Sequence, residues 1–131
     1  MPTTRAHKPA YGRRLMMNII EERASKEPNR PWILVPRTSD PKDGWKNITY
    51  GGGAKAINRV AHRVLDMAGQ PQPGEFPTIA YIGPNDIRYI IFMFGAIKAG
   101  CQVWLPPYDF LMALLNSGRA NTVIIGVVHP T

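Results

Sequence analysis

Between Thr78 and Leu105 the sequence alternates strand, turn, helix and strand, and this alternation restricts the fold more than any other feature. Thr78–Ile82 is rich in β-branched and aromatic residues, as strands are. Gly83–Pro84–Asn85–Asp86 carries the residues of a tight turn, with Asn85 or Asp86 placed to cap a following helix. Arg88–Lys98 is that helix, and it is apolar on nearly all sides through Ile90, Ile91, Phe92, Met93, Phe94 and Ile97. A helix of that kind implies burial within a larger body. Ala99–Gly100 ends it, and Cys101–Leu105 reads as a second strand. A strand, a crossover helix and a strand of these lengths predict a parallel, right-handed βαβ unit.

Upstream, helical periodicity begins at Arg13: Leu15, Met16, Ile19, Ile20 and Arg23 recur at spacings of three and four, and Pro28 and Pro31 end the helix. Trp32–Val35 reads as a short strand closed by Pro36, Arg37–Lys46 as a loop, and Asn47–Tyr50 as a returning strand, so the two strands pair as a hairpin. After Gly51–Gly52–Gly53 comes a longer helix. Its residues Ile57, Val60, Ala61, Val64, Leu65 and Ala68 make one apolar stripe, with Lys55, Arg59, His62 and Arg63 on the remaining surface. Gly69 and Pro71–Gly74 stop it. Beyond Leu105 the pattern gives a short helix at Phe110–Leu115, a turn at Asn116–Asn121 and a third strand at Thr122–Val128.

The chain has 131 residues, 44% of them apolar and 19% charged, a composition that suits one globular domain. Its longest apolar runs, Tyr89–Ile97 and Val123–Val128, are too short to cross a bilayer, so the expectation is a soluble, cytoplasmic protein. The net charge is +7. Arg5, Lys8, Arg13 and Arg14 lie in an acid-free N-terminal arm, and residues 1–12 read as a disordered basic leader. Three readings suit such an arm: contact with nucleic acid or an anionic surface, an organellar presequence interrupted by Pro2 and Pro9, or, the reading preferred, a solvated frayed end. The single cysteine, Cys101, excludes an internal disulfide framework, suggests a reducing compartment and reads as a buried structural thiol.

Two stretches then carry a family resemblance. Ile48–Thr49–Tyr50 leading into Ala56–Ile57–Asn58–Arg59–Val60–Ala61–His62–Arg63 resembles the first core motif of adenylate-forming enzymes, the AMP-dependent synthetase and ligase (AMP-binding) family. Phe94–Gly95–Ala96–Ile97–Lys98–Ala99–Gly100 running into Cys101–Gln102–Val103–Trp104–Leu105–Pro106 resembles the second, and Ile79–Asp86 resembles the strand and turn between them. The leader Tyr11–Leu15 and the step Asn29–Trp32 resemble fungal multidomain members of the nonribosomal peptide synthetase-like type. The resemblance covers residues 11–108, with one departure: glycines stand at 51–53 where the family usually has polar and bulky residues. It implies an α/β fold, a partial N-terminal subdomain of an adenylate-forming enzyme, in which a β-hairpin and helices lead into the parallel βαβ unit. Residues 13–131 would then be a truncated N-terminal part of an AMP-binding domain. Family members activate a carboxylic acid with ATP and magnesium to an acyl-adenylate, using a phosphate loop and later motifs that the resemblance places beyond this stretch.

The residues themselves yield no catalytic, cofactor-binding or metal-binding assignment. Gly51–Gly53 followed by Lys55 superficially suggests an anion site, but the spacing is not that of a phosphate loop, and a flexible turn into a helix is the preferred reading. His7, His62 and His129 lack metal-ligand spacing. Glu21–Glu22 and Asp40–Asp43 lie on a helix surface and in a loop, and Ser25, Ser39 and Ser117 have no nucleophile-elbow context. The expectation is a fragment of an acid-activating enzyme, inactive alone, that holds no cofactor and takes the remainder of an adenylation domain as its partner. The alternatives are an interaction or regulatory protein docking on a full-length relative, and a small basic nucleic-acid-binding module. Against the last, Trp32, Tyr81, Phe92, Phe94 and Trp104 sit in apolar runs, not interleaved with Lys and Arg.

Overall fold

The computed structural model describes residues 15–83, 86–106 and 124–128. Helix α1 (Met16–Lys26) leads into β1 (Pro31–Pro36), a 3₁₀ turn at Pro41–Asp43 and β2 (Trp45–Thr49). Next come α2 (Tyr50–Ala68), β3 (Thr78–Ile82), α3 (Ile87–Lys98), β4 (Gln102–Trp104) and β5 (Ile124–Val128). The basic leader at 1–12, the helix expected at Phe110–Leu115 and the turn at Asn116–Asn121 lie outside the described residues.

The expected hairpin is present: β1 and β2 pair antiparallel, with Ile33 opposite Ile48 and Pro36 opposite Trp45. The expected parallel unit is present too. Strands β3 and β4 pair in parallel, Ile79 opposite Val103, and α3 connects them. On its other side β3 takes β5 antiparallel, with Ile82 opposite Ile124, so β3 is the central strand of a mixed sheet. The fold is α/β, with the hairpin and two helices leading into the parallel strand pair.

Helix α2 departs from expectation at its start. It begins at Tyr50, so Tyr50 ends no strand and the three glycines form the first helical turn rather than a flexible approach to it. Glycine in a helix costs about 1 kcal/mol relative to alanine, which argues locally against this start. Tertiary structure reverses the argument. Thr49 caps the helix, its Oγ1 accepting from the Gly52 amide at 3.1 Å. The Tyr50 amide donates to the Arg30 carbonyl at 3.0 Å and the Gly51 amide to the Pro28 carbonyl at 2.9 Å. At Gly53 the helix passes against the Trp32 indole so closely that a Cβ would lie 2.4 Å from the ring.

The stripe read from the sequence faces inward: Ile57, Ala61 and Val64 are buried, and Val60, Leu65 and Ala68 pack at their margins. Ala61 and Val64 share one core cluster with Ile79 and Tyr81 of β3, Phe92 and Ala96 of α3, and the Ala99 and Cys101 that follow. Burying a side chain such as Phe92 contributes about 1.5–3 kcal/mol. A second cluster joins Met17 and Ile20 of α1 to Ile57, with Trp32 and Phe94 beside it. Helices α2 and α3 approach at Gly95, where a Cβ would stand 2.5 Å from Val60 Cγ1. Helix α3 then closes with paired backbone bonds, the Cys101 amide to the Ala96 carbonyl at 2.9 Å and the Gly100 amide to the Ile97 carbonyl at 3.0 Å. Its burial is one-sided: Phe92, Gly95 and Ala96 are covered, whereas Ile97 is 49% exposed and borders a shallow cleft with Leu15 and Met16 of α1.

The first helical turn supplies a test with opposed signs. Propensity alone gives Gly53→Ala a gain of about 1 kcal/mol. Overlap with the Trp32 ring gives a loss of about 1–3 kcal/mol. Urea unfolding followed by circular dichroism is expected to show the loss.

Candidate functional site

The feature that most suggests a site is the glycine turn with Lys55. It borders an open cleft of about 620 Å³ between the end of α1 and the start of α2, lined by Ser25, Asn29, Thr49, Gly52, Lys55 and Asn58 among others. A helix start can receive an anion when its first amides point outward unbonded. Here the amides of Tyr50, Gly51 and Gly52 are engaged by Arg30, Pro28 and Thr49. The turn therefore does not fit a triphosphate, and no step of an ATP-dependent reaction is assigned to it. Its glycines serve the close approach to Trp32 and the hairpin, which the sequence reading did not anticipate.

A polar junction lies beside this cleft. Lys98, near the end of α3, donates to the Glu21 carboxylate of α1 and, at 2.6 Å, to Asn58 Oδ1 of α2. One ammonium group thus links three helices, with its side chain only 27% exposed. Sequence reading placed Glu21 and Glu22 together on a helix surface. The structure separates their roles, since Glu22 pairs with Lys26 within α1 and Glu21 reaches across to α3. The available signal was Lys98 itself, a cation closing the apolar run Tyr89–Ile97.

The remaining candidates have structural partners or open exposure. Asp40 caps the 3₁₀ turn by accepting from the Lys42 amide at 2.9 Å, and Asp43 accepts from Thr38 Oγ1 at 2.5 Å. Ser25, Ser39 and His62 are exposed, whereas His7, His129 and Ser117 lie outside the described residues. Cys101 is buried, as expected of a structural thiol, and burial pushes its pKa up, away from nucleophilic use. Among the described residues, no three His, Cys, Asp or Glu side chains are grouped so as to hold a metal ion. No helix among those residues is long and apolar enough to cross a membrane.

Asp86 is held at the start of α3 by its own neighbour. It caps α3 by accepting from the Arg88 amide at 2.9 Å, and the Arg88 guanidinium grips the same carboxylate through Nε and Nη2. The side-chain bonds to Arg88 hold its pKa below the usual aspartate range.

No family model matches the chain, and no solved structure does. Among curated proteins, it is 61% identical over 92 residues to a carboxylic acid reductase of Neurospora crassa. That match covers 70% of this chain and 9% of the relative. It is 30% identical over 90 residues to an isocyanide synthase-NRPS hybrid, crmA, of Aspergillus fumigatus, covering 69% of this chain and 6% of that protein. The chain thus spans less than a tenth of the length of either relative. At this coarse level its homologues are fungal enzymes, a carboxylic acid reductase and an NRPS hybrid, in line with the acid-activating, NRPS-like resemblance of its two motifs.

Asp86 yields a pH prediction. Its folded pKa is lowered, so its contribution to stability is full above the unfolded value near 3.9 and is lost as pH falls through the folded one. Removing the cap with Asp86→Ala is expected to cost about 0.5–2 kcal/mol at neutral pH. The gap between wild type and variant should narrow progressively below about pH 4 in acid-dependent thermal melts.

Proposed function

We propose that this chain works as part of the acid-activating region of a multidomain enzyme that forms acyl-adenylates from carboxylic acids and ATP. Its contribution is scaffold: a hairpin, three helices and a mixed sheet on which groups supplied by other segments are mounted. The observation that carries this reading is the 61% identity over 92 residues to the Neurospora reductase. The engaged amides of the glycine turn support the scaffold assignment, because they leave the turn with a packing role. By itself the chain is expected to activate no acid.

A second reading, docking of the chain on a full-length relative, is favoured by one observation. Leu15, Met16 and Ile97 border a common cleft and are 69%, 56% and 49% exposed, an apolar area suited to covering by another surface.

The test is acid-dependent ATP–pyrophosphate exchange. The isolated chain is expected to show none. A Neurospora reductase whose matched 92-residue stretch is replaced by the corresponding stretch of this chain is expected to retain exchange within about tenfold. Exchange by the isolated chain would refute the scaffold assignment, and a folded but inactive chimera would refute the equivalence of the two segments. Binding of the isolated chain to the intact reductase would favour docking.

A further inference from the structure

Helix α1 is attached to the fold in a different way from its neighbours. Among the described residues, the main core cluster draws on α2, β3, α3 and the segment after it, and on no residue of α1. The buried side chains of α1 are Met17 and Ile20, which meet Ile57 in the smaller cluster. At its start Leu15 takes the cap position, where an apolar side chain accepts no bond. Its far end is tied down, because the carbonyls of Pro28 and Arg30 receive the first amides of α2. Glu27 stiffens the same turn by pairing with Arg23 and Arg30.

The seam between α1 and the other helices is thinly filled. Clefts of about 620 Å³ and about 220 Å³ lie along it, the first lined by Ala24, Ser25 and Lys55 among others, the second by Met16, Met17 and Ile97. Protein interiors are packed without such gaps, so this seam forgoes part of the usual contact attraction. Glu21 borders both clefts, and its bond to Lys98 crosses the seam between them. Both acceptors of the Lys98 ammonium reach water, Glu21 being 50% exposed and Asn58 exposed. Water can therefore take the place of the ammonium when the bond opens, which keeps the bond weak enough to release. Elements with few buried contacts open separately, at lower free energy than the whole fold.

We propose that α1 is a hinged flap that opens as a unit about residues 27–30, with the Lys98 ammonium as its latch. Opening uncovers the side of α2 that carries Ala54, Ile57 and Asn58 and merges the two clefts into one groove. The proposal stands on packing and does not rest on the acid-activation reading. The test is native-state amide exchange of the full 131-residue chain, in urea below the unfolding transition. Amides of residues 21–26 report the flap and those of residues 79–81 the body. Flap amides are expected to exchange through an opening with the smaller urea dependence, because less surface is exposed. Lys98→Met keeps most of the side chain and removes its charge, and should speed flap exchange roughly fivefold. Glu21→Gln, a milder change on the exposed side of α1, should act in the same direction. Ile79→Val loosens the core that contains no α1 residue. It should speed exchange in the body roughly fivefold and leave the flap unaltered, since the open state keeps that core. Equal acceleration of flap and body by Ile79→Val would overturn the proposal, because α1 would then belong to one cooperative unit. Flap rates indifferent to both Lys98→Met and Glu21→Gln would remove the latch, and unprotected flap amides in the wild type would remove the closed flap itself.

Discussion

The described structure hinges on one indole. Trp32 lies near Tyr50 and Phe94 at ring-centroid distances of 6.1 Å each, while the backbone of Gly53 passes against its six-membered ring. Through that side chain the hairpin, the start of α2 and the apolar face of α3 meet at one point. Backbone bonds complete the joint, because the strand that carries Trp32 is entered from Pro28 and Arg30, whose carbonyls receive the first amides of α2. A polar first turn with side chains would hold the indole away and open the seam between α1, α2 and α3. The propensity cost of three glycines in a first helical turn is thus compensated by packing, a common reason for local propensity to lose to tertiary context.

Much of this was legible from pattern alone. The stripe from Ile57 to Ala68 identifies its buried face because helix periodicity leaves little freedom once one side is apolar. The parallel pairing of β3 and β4 follows from the length of the link between them, too long for a tight hairpin and of the right composition for a crossover helix. Legibility fails where contact is made across sequence distance. The start of α2 at Tyr50 depends on Trp32, Pro28 and Arg30, none of which any local window around the glycines contains. The Lys98 junction depends on Glu21, which local reading assigns to a solvated surface. The antiparallel choice of β5 was never encoded by its own apolar run, since orientation belongs to the connection rather than the strand.

The candidate site was legible in a different sense. The spacing of Gly51–Gly53 and Lys55 already argued against a phosphate loop, and hydrogen-bond geometry adds that the first amides of α2 are satisfied. Function came into view mainly through resemblance and then through similarity to fungal enzymes at a coarse level. Physical reading adds a division of labour: Asp86 owes its lowered pKa to the side-chain bonds from Arg88, Cys101 owes its raised one to burial, and both groups serve the fold.

The mixed order of the small sheet has a kinetic consequence. Strand β3 is bonded on both sides, by a neighbour delivered through the compact α3 crossover and by another that returns from much farther along the chain. Closing the longer loop costs more chain entropy before any pairing offsets it. Helix α3 and β4 can therefore dock on β3 early, while the edge that β5 covers stays open until late. During that interval an extended segment from another molecule meets the same unpaired ladder, so the nascent chain passes through a window of strand-exchange risk that its native topology closes.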